Sequence, residues 1–250
     1  MSRAIKTPSK HHKVVRLRRR PVGMMVPGKD LVVSTEPTPE LSDNKNDQDH
    51  HKDDDDDVVL LRRLYLSLDP AMRGWMDDIP SYIPPVQIND IMRGWTISQV
   101  VSTTTTTTTT NSWQSTKSSQ PKVPLQVGDI VLDNSMNGGW DEYAVVPSKQ
   151  CSKIPTSTPS GSHIPLTAHL SVLGITGLTA YFGLLDVGKP KPGETVLVSA
   201  AAGATGSVVC QIAKNVVGCK VVGIAGGPTK CQWLLDEVGC VMPLLTIRKR

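Results

Sequence analysis

From Glu194 to Ala225 the spacing of apolar residues changes twice, and each change predicts an element. Val196, Leu197 and Val198 form an unbroken β-branched-rich run, which predicts a short buried parallel strand. Val208, Val209, Ile212, Ala213 and Val216 then recur at helical spacing and predict a helix with one apolar face. Lys220-Val221-Val222-Gly223-Ile224-Ala225 returns to strand character. Between the first strand and the helix lies Ala200-x-x-Gly203-x-x-Gly206, so the order is strand, glycine turn, helix, strand. Upstream, as far as Pro165, short strand-like runs alternate with Pro and Gly turns; an α/β pattern begins near Leu166.

A glycine turn with a strand before it and a helix after it is the setting of a dinucleotide site. Gly203 lets the backbone approach a pyrophosphate, and Gly206 lets helix pack closely on strand. The N–H groups opening the helix, around Ala204 and Thr205, attract the anion. The alternative is a tight turn with a purely structural role. The end of the second strand bears on the choice of nucleotide. Roughly 20 residues after the turn an NAD site usually places an acid for the ribose diol. Ala225, Gly226 and Gly227 stand there, and Lys230 follows in the first turn of a helix that Pro228 can start. That favours NADPH over NADH; the plain alternative for Lys230 is a solvated helix lysine.

Four runs carry a family resemblance: LYLSLDPAMRGWM at Leu64 to Met76, SYIPPV at Ser81 to Val86, GITGLTAYFGLLDVGKPKPGETVLVSAAAGATGS at Gly174 to Ser207, and AGGPTKCQWL at Ala225 to Leu234. In this order, over most of residues 14–240, the chain resembles the zinc-independent medium-chain dehydrogenases/reductases, and within them the NADPH-dependent alkenal and prostaglandin reductases, curcumin-reductase-like proteins included. The resemblance implies an α/β protein with an N-terminal GroES-like, mostly-β domain over residues 14–165 and a truncated Rossmann-type domain over residues 166–250. It is broken by two low-complexity stretches near residues 42–57 and 103–120, read as disordered loops.

The implied reaction is NADPH-dependent reduction of the carbon–carbon double bond of an α,β-unsaturated aldehyde or ketone, without a metal. Tyr82 is the candidate donor to the substrate oxygen, since it matches a tyrosine of the family's active-site region; the alternative is a packing aromatic. Asp69 and Arg73 are expected to form an ion pair that shapes the site. Ala71 stands where many relatives carry a tyrosine, which leaves the substrate range open. Val241 to Arg250 does not look like the family's third strand, and the chain is expected to be incomplete. The rival readings are therefore a non-catalytic fragment of such an enzyme and a quinone reductase of the same superfamily. A homodimer is left open as the assembly.

Composition narrows this further. The chain of 250 residues carries a formal charge of only +4, concentrated in Lys6 to Arg20 and Arg248-Lys249-Arg250, so it describes no basic face for nucleic acid. The Asp53 to Asp57 run, beside His50 and His51, reads as a solvated loop rather than a cation site. Five cysteines without close pairs, no signal-like apolar core and no membrane-length apolar run point to a reducing, cytoplasmic setting. His163 and His169 are isolated, and no spacing of Cys and His suggests zinc.

Overall fold

The computed structural model describes residues 7–41, 57–104 and 124–245. The two low-complexity stretches, apart from Asp57, Thr103 and Thr104, lie outside the described residues, as do His50, His51 and the C-terminal basic triplet. The chain divides into two compact units, Met1–His163 and Ile164–Arg250.

The first unit is GroES-like. β1 (His11–Leu17) and β2 (Leu31–Pro37) pair antiparallel. β3 (Val58–Leu66), β4 (Thr96–Thr103), β5 (Ile130–Asp133), β6 (Tyr143–Pro147) and β7 (Cys151–Lys153) form an antiparallel sheet in the order β6-β3-β4-β5-β7. Register shifts between Leu60 and Leu61 and between Arg63 and Tyr65 disrupt the β3–β4 ladder locally, which bends a strand and increases its twist. The apolar run of β3 suits its place inside the sheet: Val59, Leu60 and Leu61 are all buried, and Val59 and Leu61 share a core with Val100, Val131 and Val146. A second core gathers Leu17, Leu31, Met72, Trp75, Met76, Val86 and Met92 around the short helix α1 (Ala71–Trp75).

β3 also carries the unit's main buried charge. Arg63 reaches Asp133 at 2.6 Å and Asp141 at 2.8 Å, with all three side chains buried. Its guanidinium donates to the hydroxyls of Thr96 and Ser98 as well, at 3.0 and 3.3 Å. Burial alone lowers the Arg63 pKa; Asp141 and Asp133 more than offset it, so the group stands above the ordinary arginine value.

The second unit is Rossmann-type. β8 (Thr195–Val198), β9 (Lys220–Ala225) and β10 (Met242–Leu245) are parallel in the order β10-β9-β8. The helices are α2 (Ile175–Tyr181), α3 (Ala204–Ile212) and α4 (Pro228–Trp233). Each continues through a wider π-type turn into a left-handed residue: Lys189, Gly218 and Gly239.

Three sequence expectations are corrected here. Residues 242–245 do form a third parallel strand, because the segment returns beside β9, with Met242 opposite Val222 and Leu245 opposite Ala225. β8 is not buried throughout: it lies at the sheet edge of the described residues, so Val198 is covered while Leu197 is 60% exposed. Val216 does not continue the buried face of α3 and is 72% exposed. The wider turn over Ala213–Val217 changes the angular advance per residue, and Val217 packs against the core in its place.

Candidate functional site

The turn from β8 into α3 is built on contacts with no room for a side chain. Ala200 takes the left-handed conformation at φ 48°, and its carbonyl accepts the Gly203 N–H at 2.8 Å. A Cβ on Gly206 would press against the Ala200 carbonyl and come within 2.9 Å of the Ala201 Cα. A Cβ on Gly203 would meet only the Ala200 carbonyl oxygen, at 3.1 Å. Gly206 is thus the position where the turn cannot tolerate a side chain. The Ala201 N–H bonds to the Ile224 carbonyl at 2.9 Å, tying the turn to the end of β9.

The first bond closing α3 runs from the Ser207 N–H to the Gly203 carbonyl at 2.9 Å. Ahead of it, the N–H groups of Ala204, Thr205 and Gly206 have no helical acceptor, and Gly203 supplies no side-chain cap. They present partial positive charge at the helix start.

Beside this turn opens a cavity of about 690 Å³ lined by Ala200, Ala202, Gly203, Ile224, Ala225, Gly226, Gly227 and Lys230. Gly227, at φ 92°, turns the chain from β9 into α4, whose first residue is Pro228 and whose first turn holds no acid. Lys230 is exposed at the third position of α4 and makes no side-chain hydrogen bond or ion pair with the described residues. Gly203 and Lys230 therefore line one cavity, with Ala204, Thr205 and Gly206 following in the same turn. No carboxylate is among the lining residues.

Tyr82 belongs to the first unit. Its side chain is 75% exposed, and its hydroxyl accepts a hydrogen bond from the Trp75 indole at 3.1 Å. The expected Asp69–Arg73 pair is corrected. Arg73 turns to Asp77 at 2.7 Å, one helical turn away, and to the carbonyls of Pro21 and Gly23. Asp69 Oδ2 is buried without a hydrogen-bond partner. Among the described residues no group of three or more His, Cys, Asp or Glu side chains is placed to hold a metal ion. His169 is buried.

Residues 13–114 match the family described as the N-terminal domain of oxidoreductase. The NADPH-dependent curcumin reductase of Escherichia coli is 44% identical over 181 residues, which is 72% of this chain and 44% of the relative. The chain belongs to the medium-chain dehydrogenase/reductase family. Within it, the similarity is to curcumin, prostaglandin and alkenal reductases. The NADP(+)-dependent 2-alkenal reductase of Nicotiana tabacum is 36% identical over 183 residues, 72% of this chain and 45% of the relative. The crystal structure of CurA in complex with NADPH from Vibrio vulnificus superposes with a TM-score of 0.66 at 35% identity, covering 92% of this chain and 57% of that one. The chain spans about half the length of the curated relatives it matches. Sequence reasoning names the glycine turn and Lys230 but misses Trp75. Its link to Tyr82 spans a loop of irregular backbone, and no periodicity marks such a pairing.

Proposed function

We propose that this family member binds NADPH at the cavity between the β8–α3 turn and α4, and that it takes part in reducing the activated double bond of an enal or enone. The observation that carries the reading is Lys230, a cation without a protein partner among the described residues, lining a cavity that Gly203 of the turn also lines. The residues present suit the cofactor. Three N–H groups at the start of α3 match a pyrophosphate, Lys230 matches a 2′-phosphate, and the strand end offers no acid to a free ribose diol. The names of the relatives, NADPH-dependent curcumin reductase and NADP(+)-dependent 2-alkenal reductase, support it.

When bound, the cofactor supplies a hydride to the β-carbon of the substrate. In our reading Tyr82 faces the charge that then develops on the carbonyl oxygen. Its O–H is free to donate because the Trp75 indole already occupies one of its lone pairs. A donor fixed before the reaction favours the transition state over the ground state.

Titration of the chain with NADPH and NADH tests the cofactor. NADPH is expected to bind tighter, and equal dissociation constants overturn the assignment. Assaying enals against quinones then separates an alkenal reductase from a quinone reductase. We further propose a cytoplasmic setting, supported by a sequence whose five cysteines form no closely spaced pair. No helix among the described residues is long and apolar enough to cross a membrane. A homodimer is proposed as the assembly, supported by the open edge of β8 among the described residues, and light scattering measures it directly.

A further inference from the structure

We propose that Trp75 is the positioning residue of the Tyr82 phenol, a role that rests on the reading of Tyr82 as the donor to the substrate oxygen. Trp75 ends α1 and is 2% exposed, enclosed by Leu17, Met72, Met76, Val86 and Met92. Its ring meets Trp95 edge-on, with centroids 5.8 Å apart and planes at 66°. A ring so enclosed keeps one orientation, and a buried indole N–H needs an acceptor. The acceptor is the hydroxyl of a side chain that otherwise stands in solvent, Tyr82 at 3.1 Å.

The same residue holds the far end of the loop. The Trp75 carbonyl accepts the Val86 N–H at 2.8 Å, while Arg20 donates to the carbonyls of Met76 and Val86 at 2.8 and 3.2 Å. The segment carrying Tyr82 is thus closed at its base by backbone bonds and fixed at its tip by the indole. An exposed phenol without such a tether samples several rotamers. With the tether, the oxygen sits where a buried ring puts it, and its proton is left to point elsewhere. Trp75 does not touch substrate; it sets the place and the free donor of the residue that does.

The test is a double-mutant cycle of Trp75→Phe, Tyr82→Phe and both together. Each protein is read for kcat and KM with trans-2-hexenal at saturating NADPH, for NADPH affinity, and for hydrogen exchange at the amides of residues 79–86. Trp75→Phe is expected to lower kcat roughly threefold to tenfold, the worth of one neutral hydrogen bond. NADPH affinity should stay unchanged, and the substitution should have no further effect on kcat in the Tyr82→Phe background. Amide exchange over residues 79–86 should quicken in both single variants, a reading that needs no turnover.

A kcat loss of equal size in both backgrounds identifies a merely structural role and overturns the proposal. So does wild-type exchange in both single variants. Undiminished turnover in Tyr82→Phe alone overturns the reading of Tyr82 and this proposal with it. The two failures are distinguishable, because in the first Tyr82→Phe is itself impaired and in the second it is not.

Discussion

The two units treat positive charge in opposite ways. In the GroES-like unit Arg16 grips Glu36, Arg19 reaches Asp30, Arg20 and Arg73 bind backbone carbonyls, and Arg63 is buried between two aspartates. These cations hold strands and loops in register. In the Rossmann-type unit Lys230 stands on a cavity rim with no acceptor among the described residues, beside three helix N–H groups that lack a helical one. The lesson is that charge alone does not mark a binding site. A basic group gripped by carboxylates or carbonyls of the fold is architecture, and one that meets no acceptor there is where an anion fits.

The sharpest way to break this comparison is to remove a cation of the first kind. Arg63→Ala leaves Asp133 and Asp141 buried and uncompensated, so a loss of about 3 to 5 kcal/mol is expected, read as a large fall in the midpoint of denaturant unfolding. An unchanged midpoint would show that the triad is not what holds β3, β4 and β5 together. The second unit should respond most to steric change at the turn. Gly206→Val forces a branched side chain against the Ala200 carbonyl, with about 1 to 3 kcal/mol of strain expected. NADPH and NADH affinity should fall together by at least about tenfold. Gly203→Ala, which meets a single oxygen at 3.1 Å, should be milder on both counts.

Lys230→Ala tests the other side of the comparison. The melting temperature should not move, because no protein partner is lost. The preference for NADPH over NADH should narrow by about tenfold, since solvent screens a charged hydrogen bond at an exposed site. A drop in stability without a change in preference would turn Lys230 into architecture like the arginines.

The smallest expected effect is at Glu36. Hydrogen bonds from Arg16 first, then from Ser34, hold its carboxyl down to about 2 against an ordinary value of 4.5. A depressed carboxyl contributes stability above its unfolded value and loses it as pH falls through the folded one. Wild type should therefore exceed Glu36→Gln at pH 7 by less than about 1 kcal/mol, because the pair is partly exposed. The gap should close as pH drops from 4.5 towards 2, as measured by thermal melts across that range.

The glycine turn is legible in the sequence because its chemistry is local. Strand run, glycines and helix period lie within about 20 residues, and the steric demands on Gly206 come from Ala200 and Ala201 in the same turn. The absence of an acid after β9 is legible for the same reason. The third strand is not. MPLL carries a proline and no alternation, and it becomes a strand only because β9 offers a parallel partner at its side. The exposure of Leu197 is equally hidden, since a buried strand and an edge strand share one apolar pattern and differ only in what lies beside them.

By itself, then, the sequence determined the phosphate-type turn, the missing carboxylate and the position of Lys230, because each depends on neighbours close by in the chain, and the order of four separate runs carried the family resemblance. Only the tertiary structure decided that Arg73 would turn to Asp77 and not Asp69, that Arg63 would be enclosed by Asp133 and Asp141, 70 and 78 positions further on, and that Trp75 would donate to Tyr82. Hydrogen-bond partners are chosen by where folding brings the donors, and burial then makes each choice costly to undo.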